Sequence, residues 1–353
     1  MKIDLIDLGF DDFFIEKGID KRSYARVIRE HKERYIVLNE SGEYAAEITG
    51  NLRYMASSRA DFPAVGDWVI VTIIDNKAAL ILKILPRKSI LERRAVNVYG
   101  EKQIIGANID FAFIVISLDR DFNLNRVERY LSLVYAGRIK PIVLLSKSDL
   151  INKSLVQRKV KQVKERTRIE DVVACSNETG DGLKTIKNII MPGKTYCFIG
   201  SSGVGKSTLI NCLQGEEVLK MGSLSESTGK GIHTTTYREL RYLSNGGLLI
   251  DSPGMREIGV TEKEEGVKNV FDQIRIYSQA CKFNDCTHTG EPGCAVQEAI
   301  QRNEIDPAAL EHYKKLEREV ERFTASVAEK RKKDKKFGKH IKQVVKDRKN
   351  KKY

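Results

Sequence analysis

The sequence predicts an α/β chain: a small N-terminal β-barrel, then a doubly wound parallel-sheet domain, then a helical end with a cysteine and histidine cluster. Three observations carry this reading. Five short runs of alternating apolar and polar residues, separated by turn signals, occupy positions 24 to 84, the pattern of half-buried strands that close on themselves. From position 111 continuous apolar runs alternate with helical periodicity, which builds a parallel sheet covered by helices. Cys281, Cys286, His288 and Cys294 then fall within 14 residues, a spacing that suits one metal ion. The expected divisions are 1–92 for the barrel with an N-terminal arm, 93–262 for the sheet domain, 263–329 for the metal-binding helical module and 330–353 for a basic tail.

With 353 residues the chain can bury two or three cores. Its 41% hydrophobic and 31% charged content matches soluble globular proteins and argues against a membrane or disordered chain. No apolar run nears the roughly 20 residues of a membrane helix, and Met1-Lys-Ile-Asp-Leu5 does not read as a secretory leader. Six cysteines without framework spacing point to a reducing cytoplasm. The net charge of +13 is concentrated: positions 330–353 hold 13 Lys and Arg against 2 acids, so the other 329 residues carry only +2. Such a tail suits an arm that orders on RNA phosphates.

Residues 1 to about 20, with Phe10, Phe13 and Phe14 among acids, read as a lead-in helix or arm. The barrel strands are expected at Tyr24–Arg29, Arg34–Leu38, Tyr44–Ile48, Asp67–Thr72 and Ala79–Ile84. Five strands in about 65 residues suit a barrel of the oligonucleotide-binding kind, although the pattern equally admits one with no nucleic-acid role. Arg26, Arg29, Arg34, Arg53 and Arg59, taken as exposed, tilt the reading toward RNA contact. Arg87-Lys88 and Arg93-Arg94 read as a basic bridge to the next domain.

In the sheet domain, strands are expected at Phe111–Ser117, Pro141–Leu145, Val172–Cys175, Thr195–Ile199, Leu240–Leu243 and Leu248–Ile250, with helices at Leu124–Ala136 and near Ser154–Thr167. The stretch Gly200-Ser201-Ser202-Gly203-Val204-Gly205-Lys206-Ser207-Thr208 matches G-x-x-x-x-G-K-[ST] in full, between an apolar strand and a helix start. Glycines let backbone N–H groups turn toward a β-phosphate, Lys206 reaches the β/γ oxygens, and the Ser207 hydroxyl ligates Mg²⁺. The chain is expected to bind a nucleoside triphosphate.

The flanking motifs choose the base. Ser146-Lys147-Ser148-Asp149 resembles the N/T-K-x-D motif of GTPases, which implies that Asp149 accepts from guanine N1–H and the 2-amino group while the Lys147 stem lies over the ring. Ser146 stands where that motif usually has Asn. Ser176-Asn177-Glu-Thr-Gly180 resembles the S-A-x-x-G loop beside guanine O6, with Asn177 in place of Ala. Asp251-Ser-Pro-Gly254 resembles the D-x-x-G switch, which implies Asp251 near Mg²⁺ through water and the Gly254 N–H at the γ-phosphate. Gly229 to Thr236 resembles the first switch, and one of Thr234, Thr235 or Thr236 would complete the Mg²⁺ shell. Because the two base motifs precede the phosphate loop, the domain reads as circularly permuted, and its second switch leads into the C-terminal region.

Three thiolates and one imidazole make a closed tetrahedral Zn²⁺ shell, hence a structural one. Asp306 is expected to cap a helix whose stripe Leu310, Tyr313, Leu316, Val320, Phe323 and Val327 is buried on one face.

Barrel, permuted GTPase and Cys₃His module in this order closely resemble the RsgA (YjeQ/YloQ) family over nearly the whole chain. The resemblance implies GTP hydrolysis to GDP and phosphate, stimulated by the 30S ribosomal subunit in its late maturation, with 16S rRNA bound through barrel and zinc module. It also implies a cytoplasmic monomer with no membrane partner. The family's switch reads G-R-G-R-H-T-T-T; here Ile232 stands at the second Arg. Met255 follows Gly254, where Ras-like enzymes place a water-orienting Gln, so slow intrinsic turnover is expected. His233 is the candidate to position water, its alternative being RNA contact or packing. Two other functions are kept in view: a non-hydrolysing GTP-gated RNA-binding switch, and an ATP-dependent RNA enzyme, against which Asp149 argues.

Overall fold

Turn-bounded alternation produces β1 (Tyr24–His31), β2 (Arg34–Asn39), β3 (Gly42–Ile48), the short helix α1 (Gly50–Met55), β4 (Trp68–Ile73) and β5 (Ala78–Ile84). The strands run in the order β1-β2-β3-β5-β4, and β4 pairs back onto β1, so the barrel closes and buries its edges. Only β3 and β5 are parallel, with Ala45 opposite Ala78. Val27, Tyr35, Val37, Ala46, Val69, Val71 and Ile81 fill the interior, the inward members of the expected strands. The OB-like barrel is thus present. This computed structural model describes residues 3–31, 34–94, 102–119, 122–214, 238–251 and 264–324. The first switch with His233, Thr234 and Thr235, then Gly254, Met255, Val327 and the basic tail lie outside the described residues.

The stretch after the barrel, read from sequence as a bridge, forms a two-stranded antiparallel hairpin of β6 (Ile90–Arg94) and β7 (Lys102–Ala107). Arg87 is no solvent-facing linker residue either. Its Nε and Nη2 donate to the two carboxylate oxygens of buried Asp67, both at 2.7 Å, and it also donates to the carbonyls of Ala60 and Phe62.

Next come β8 (Phe111–Ser117), α2 (Leu124–Ala136), β9 (Lys140–Ser146), α3 (Lys153–Thr167), β10 (Val172–Ala174), α4 (Leu183–Ile189), β11 (Thr195–Ile199), α5 (Lys206–Gln214), β12 (Arg238–Tyr242) and β13 (Leu248–Asp251). Strands β10-β9-β8-β11-β13 are mutually parallel, and β12 lies antiparallel beside β13. The central strands are apolar on both faces, with Phe113, Val115, Leu144, Tyr196 and Phe198 in one cluster beneath the helices.

Strand β12 also pairs with β1, so barrel and parallel sheet are one continuous 11-stranded sheet. Opposite charges face each other across this seam: Arg29 with Glu239 at 2.6 Å, and Arg238 with Glu30 at 3.2 Å. Beneath it lies Arg26, expected on the surface and found 1% exposed. It donates to the carbonyls of Leu8, Gly66 and Asn108 and to Thr195 Oγ1, and sits 5.6 Å from the Trp68 ring. The N-terminal arm packs Phe10 and Phe14 on the same tryptophan. Of the other barrel arginines, Arg34, Arg53 and Arg59 are exposed as expected, whereas Arg29, also expected exposed, is half-buried because it pairs with Glu239 across the seam.

The chain divides into two compact units, Met1–Thr261 and Glu262–Tyr353. The second holds α6 (Glu264–Val270), α7 (Asp272–Ser278), α8 (Ala295–Gln301) and α9 (Pro307–Thr324). Asp306 Oδ1 accepts from the Ala308 N–H at 2.8 Å, the expected cap of α9. Leu310, Leu316 and Val320 are buried, and so is His312, which meets Phe271 edge-on. No described helix is long and apolar enough to cross a membrane.

Candidate functional site: the carboxyl edge of the parallel sheet and a Cys₃His cluster

Open parallel sheets present their ligand residues at the carboxyl ends of the strands, and the sequence motifs lie along that edge. Ser146-Lys147-Ser148-Asp149 leaves β9, Ser176-Asn177 follows β10, Gly200 to Ser207 joins β11 to α5, and Asp251 closes β13. The register aligns them: Ser117 of β8 stands opposite Ser146 of β9, Ile114 opposite Ile199 of β11, and Cys197 opposite Ile250 of β13.

The phosphate loop needs its glycines for space as well as dihedrals. A Cβ on Gly200 would lie 2.4 Å from the Val115 carbonyl oxygen, and one on Gly205 2.8 Å from Asn177 Nδ2, both with positive φ. Lys206 Nζ donates to the loop's own carbonyls, Gly200 O at 2.7 Å and Ser201 O. Ser202, Gly203, Ser207 and Thr208 are exposed, whereas Val204 is buried as the plug of the loop. The hydroxyl-bearing Ser202, Ser207 and Thr208 thus face solvent around a loop closed over its own lysine.

Direct bonds tie the base motifs to this cradle. Buried Ser146 donates from Oγ to Val204 O at 2.7 Å, which gives the residue standing in for Asn a role in holding the two motifs together. Asn177 Nδ2 donates to Gly205 O at 3.2 Å, a bond the usual alanine could not make. Ser176 Oγ donates to Asp149 Oδ1 and accepts from the N–H groups of Glu178 and Thr179. The Asp149 carboxylate is exposed and aimed by that hydroxyl, with a second oxygen left for a ligand. Beneath it the Cys175 thiol is pushed up to about 12 by burial, so it is inert packing.

Two contributors were not read from the sequence. Tyr130 on α2 bonds Ser201 Oγ through its hydroxyl at 3.1 Å. Asp119, just beyond β8, accepts from Lys147 Nζ at 2.9 Å. A polar residue two positions past an apolar strand was the only available signal for Asp119. Nothing in the helix periodicity marked Tyr130.

In the second unit the four expected ligands converge. The sulfurs of Cys281, Cys286 and Cys294 and a ring nitrogen of His288 lie within 4.8 Å of one another. Cys281 Sγ is 4.0 Å from Cys294 Sγ, and His288 Nδ1 is 3.6 and 3.5 Å from those two sulfurs. Zn–S bonds of about 2.3 Å at tetrahedral angles set sulfurs about 3.8 Å apart, so the cluster has the right size for a metal ion. Burial and the nearby Lys314 hold His288 below its ordinary value, favouring the neutral ring a metal takes. Burial and the neighbouring sulfurs push the Cys286 thiol up to about 12, so its ionisation calls for a cation. The surrounding bonds orient the ligands: Gln297 and Lys314 donate to His288 O at 2.6 and 2.8 Å. Glu291 accepts from the Thr287 and Thr289 N–H groups.

Comparison with known proteins agrees with this geometry. Residues 84–261 match the family model described as RsgA GTPase, and residues 195–334 match one described as 50S ribosome-binding GTPase. Small ribosomal subunit biogenesis GTPase RsgA 2 of Lactiplantibacillus plantarum is 41% identical over 323 residues, covering 91% of this chain and 90% of its own. RsgA 1 of Bacteroides thetaiotaomicron is 39% identical over 345 residues, covering 96% of each. The crystal structure of YloQ, described as a circularly permuted GTPase, superposes with a TM-score of 0.63 at 26% identity, over 88% of this chain and 99% of that one. YjeQ from Thermotoga maritima, 24% identical over 84% of this chain and 98% of its own, shares the fold with a TM-score of 0.64.

Proposed function

The chain belongs to the RsgA GTPase family, and we propose that it is a 30S-stimulated GTPase that hydrolyses GTP to GDP and phosphate late in small-subunit maturation while bound to 16S rRNA. One observation carries the reading: base motifs and phosphate loop, separated and permuted in sequence, are bonded together at one sheet edge through Ser146 to Val204 O and Asn177 to Gly205 O. Asp149 would select guanine, because adenine offers no N1–H or 2-amino donor to a carboxylate. Gly200 to Thr208 would hold the phosphates, with Lys206 swinging from its own loop's carbonyls to the β/γ oxygens. Mg²⁺ would bind Ser207 and a threonine of the first switch, with Asp251 behind a water, and would neutralise charge on the phosphates.

Slow turnover without the ribosome follows from Met255, which can neither orient water nor donate to it. His233 of the first switch would be the residue that positions that water. Zinc would be held by Cys281, Cys286, His288 and Cys294 as a structural ion, since the four donors leave no open position. The exposed Arg34, Arg53 and Arg59 of the barrel, the zinc module and the tail would meet rRNA phosphates. Phosphate release measured while purified 30S subunits are titrated tests the reading. Turnover should rise steeply and saturate, and a flat titration would overturn it. Single-turnover hydrolysis at saturating 30S separates it from a GTP-gated switch that does not hydrolyse.

A further inference from the structure

We infer that Asp119 is a positioning residue of the guanine site, acting by clamping the Lys147 side chain across the base position. The inference rests on the reading of Asp149 and Lys147 as base-recognition residues. Strands β8 and β9 are parallel neighbours in register from Phe111/Lys140 to Ser117/Ser146, and Leu118 N–H donates to Ser146 O at 2.8 Å just beyond the last pair. The chain segments leaving the two strands are therefore held side by side. Asp119 is itself oriented, since Ser117 Oγ donates to its Oδ1 at 2.8 Å. Its other oxygen accepts from Lys147 Nζ at 2.9 Å.

The lysine is tethered at its other end too. Its backbone holds a left-handed conformation, φ 58° and ψ 39°, which a residue with a Cβ adopts only when its surroundings enforce it. Here the enforcement comes from the Ser148 N–H bonded to Cys175 O and the buried Ser146 bonded to the phosphate loop. With Cα and Nζ both fixed, the four-methylene stem becomes a bar between them. Its side chain is 36% exposed and that of Asp119 25%, so a ligand can lie on the stem without breaking the pair.

A free lysine stem must surrender its rotamers when a ring stacks on it, and a clamped one has already done so. The lost freedom of one long side chain amounts to about a threefold to tenfold change in affinity. Asp119 need not touch the nucleotide. Its effect is routed through Lys147 and should disappear when that lysine does.

The test is a double-mutant cycle in the full-length protein, read by mant-GDP fluorescence. Asp119→Asn should weaken binding about threefold to tenfold and raise KM for GTP more than it lowers kcat. Asp119→Glu, which keeps the carboxylate, should recover most of the affinity, and this contrast excludes a general folding defect. In a Lys147→Met background Asp119→Asn should cost nothing further. Equal losses with and without Lys147, or Asp119→Asn binding like wild type, would overturn the inference. Failure of the wild type to bind mant-GDP would instead overturn the guanine-site reading beneath it.

Discussion

Replacing Arg26 by methionine keeps the apolar bulk of a fully buried side chain and removes its donors. Arg26 serves Leu8 O, Gly66 O, Asn108 O and Thr195 Oγ1. Gly66 O retains the Asn108 amide at 3.0 Å, so three acceptors lose this donor. Each costs about 1–3 kcal/mol when left unpaired in the interior. Against this, burial holds the guanidinium at about 10. That penalty on the cation is worth about 3 kcal/mol, and methionine is spared it. At about 2 kcal/mol for each of the three acceptors the loss is about 6 kcal/mol, and with the cation's penalty spared Arg26→Met is left less stable by about 3 kcal/mol. Trp68 reports the loss directly: it is the single tryptophan of the chain, fully buried, and 5.6 Å from the guanidinium. Urea unfolding followed by its fluorescence should show a lowered midpoint with little change in slope. A loss below about 1 kcal/mol would mean that water or a neighbour satisfies the acceptors, and that Arg26 is not the joint between arm, barrel and sheet.

Two further outcomes follow from the sites. Gly200→Ala puts a methyl 2.4 Å from Val115 O. It should therefore lower GTP affinity at least tenfold by displacing the loop, and equilibrium binding equal to wild type would refute that clash. Cys294→Ser, or prolonged chelation, should strip about one zinc per chain by elemental analysis and lower the melting temperature of the second unit, whose remaining thiolates then lose their counter-ion. Retention of full zinc by the serine variant would show that Cys294 is not a ligand.

The candidate site was legible where its chemistry is local. A phosphate loop is nine consecutive residues, and the Cys₃His cluster is spelled within 14, so spacing along the chain nearly is geometry in space. The barrel strands were legible for the same reason, because alternation every second residue records which face is buried. Arg26 shows the limit. It sits on β1 among Tyr24, Ala25, Val27 and Ile28, all buried, yet a cation in an alternating run reads as the outward residue. Only closure of the barrel against the parallel sheet gives that outward face an interior.

What the sequence by itself determined is the set of chemical parts and their order: the Ser146–Asp149 and Ser176–Gly180 motifs first, the Gly200–Thr208 loop next, the Cys₃His cluster last. Tertiary structure decided how they are held. Arg26 meets Thr195 across 169 residues of chain, Arg29 meets Glu239 across 210, and Ser146 meets Val204 across 58. Such partners leave no periodicity behind, since a donor and an acceptor that far apart in sequence are brought together only when the sheet is assembled. The same holds for Asp119 and Lys147, neighbours because β8 and β9 lie in register. A motif names the atoms that can touch a nucleotide, and the pairing of strands decides where those atoms are pinned.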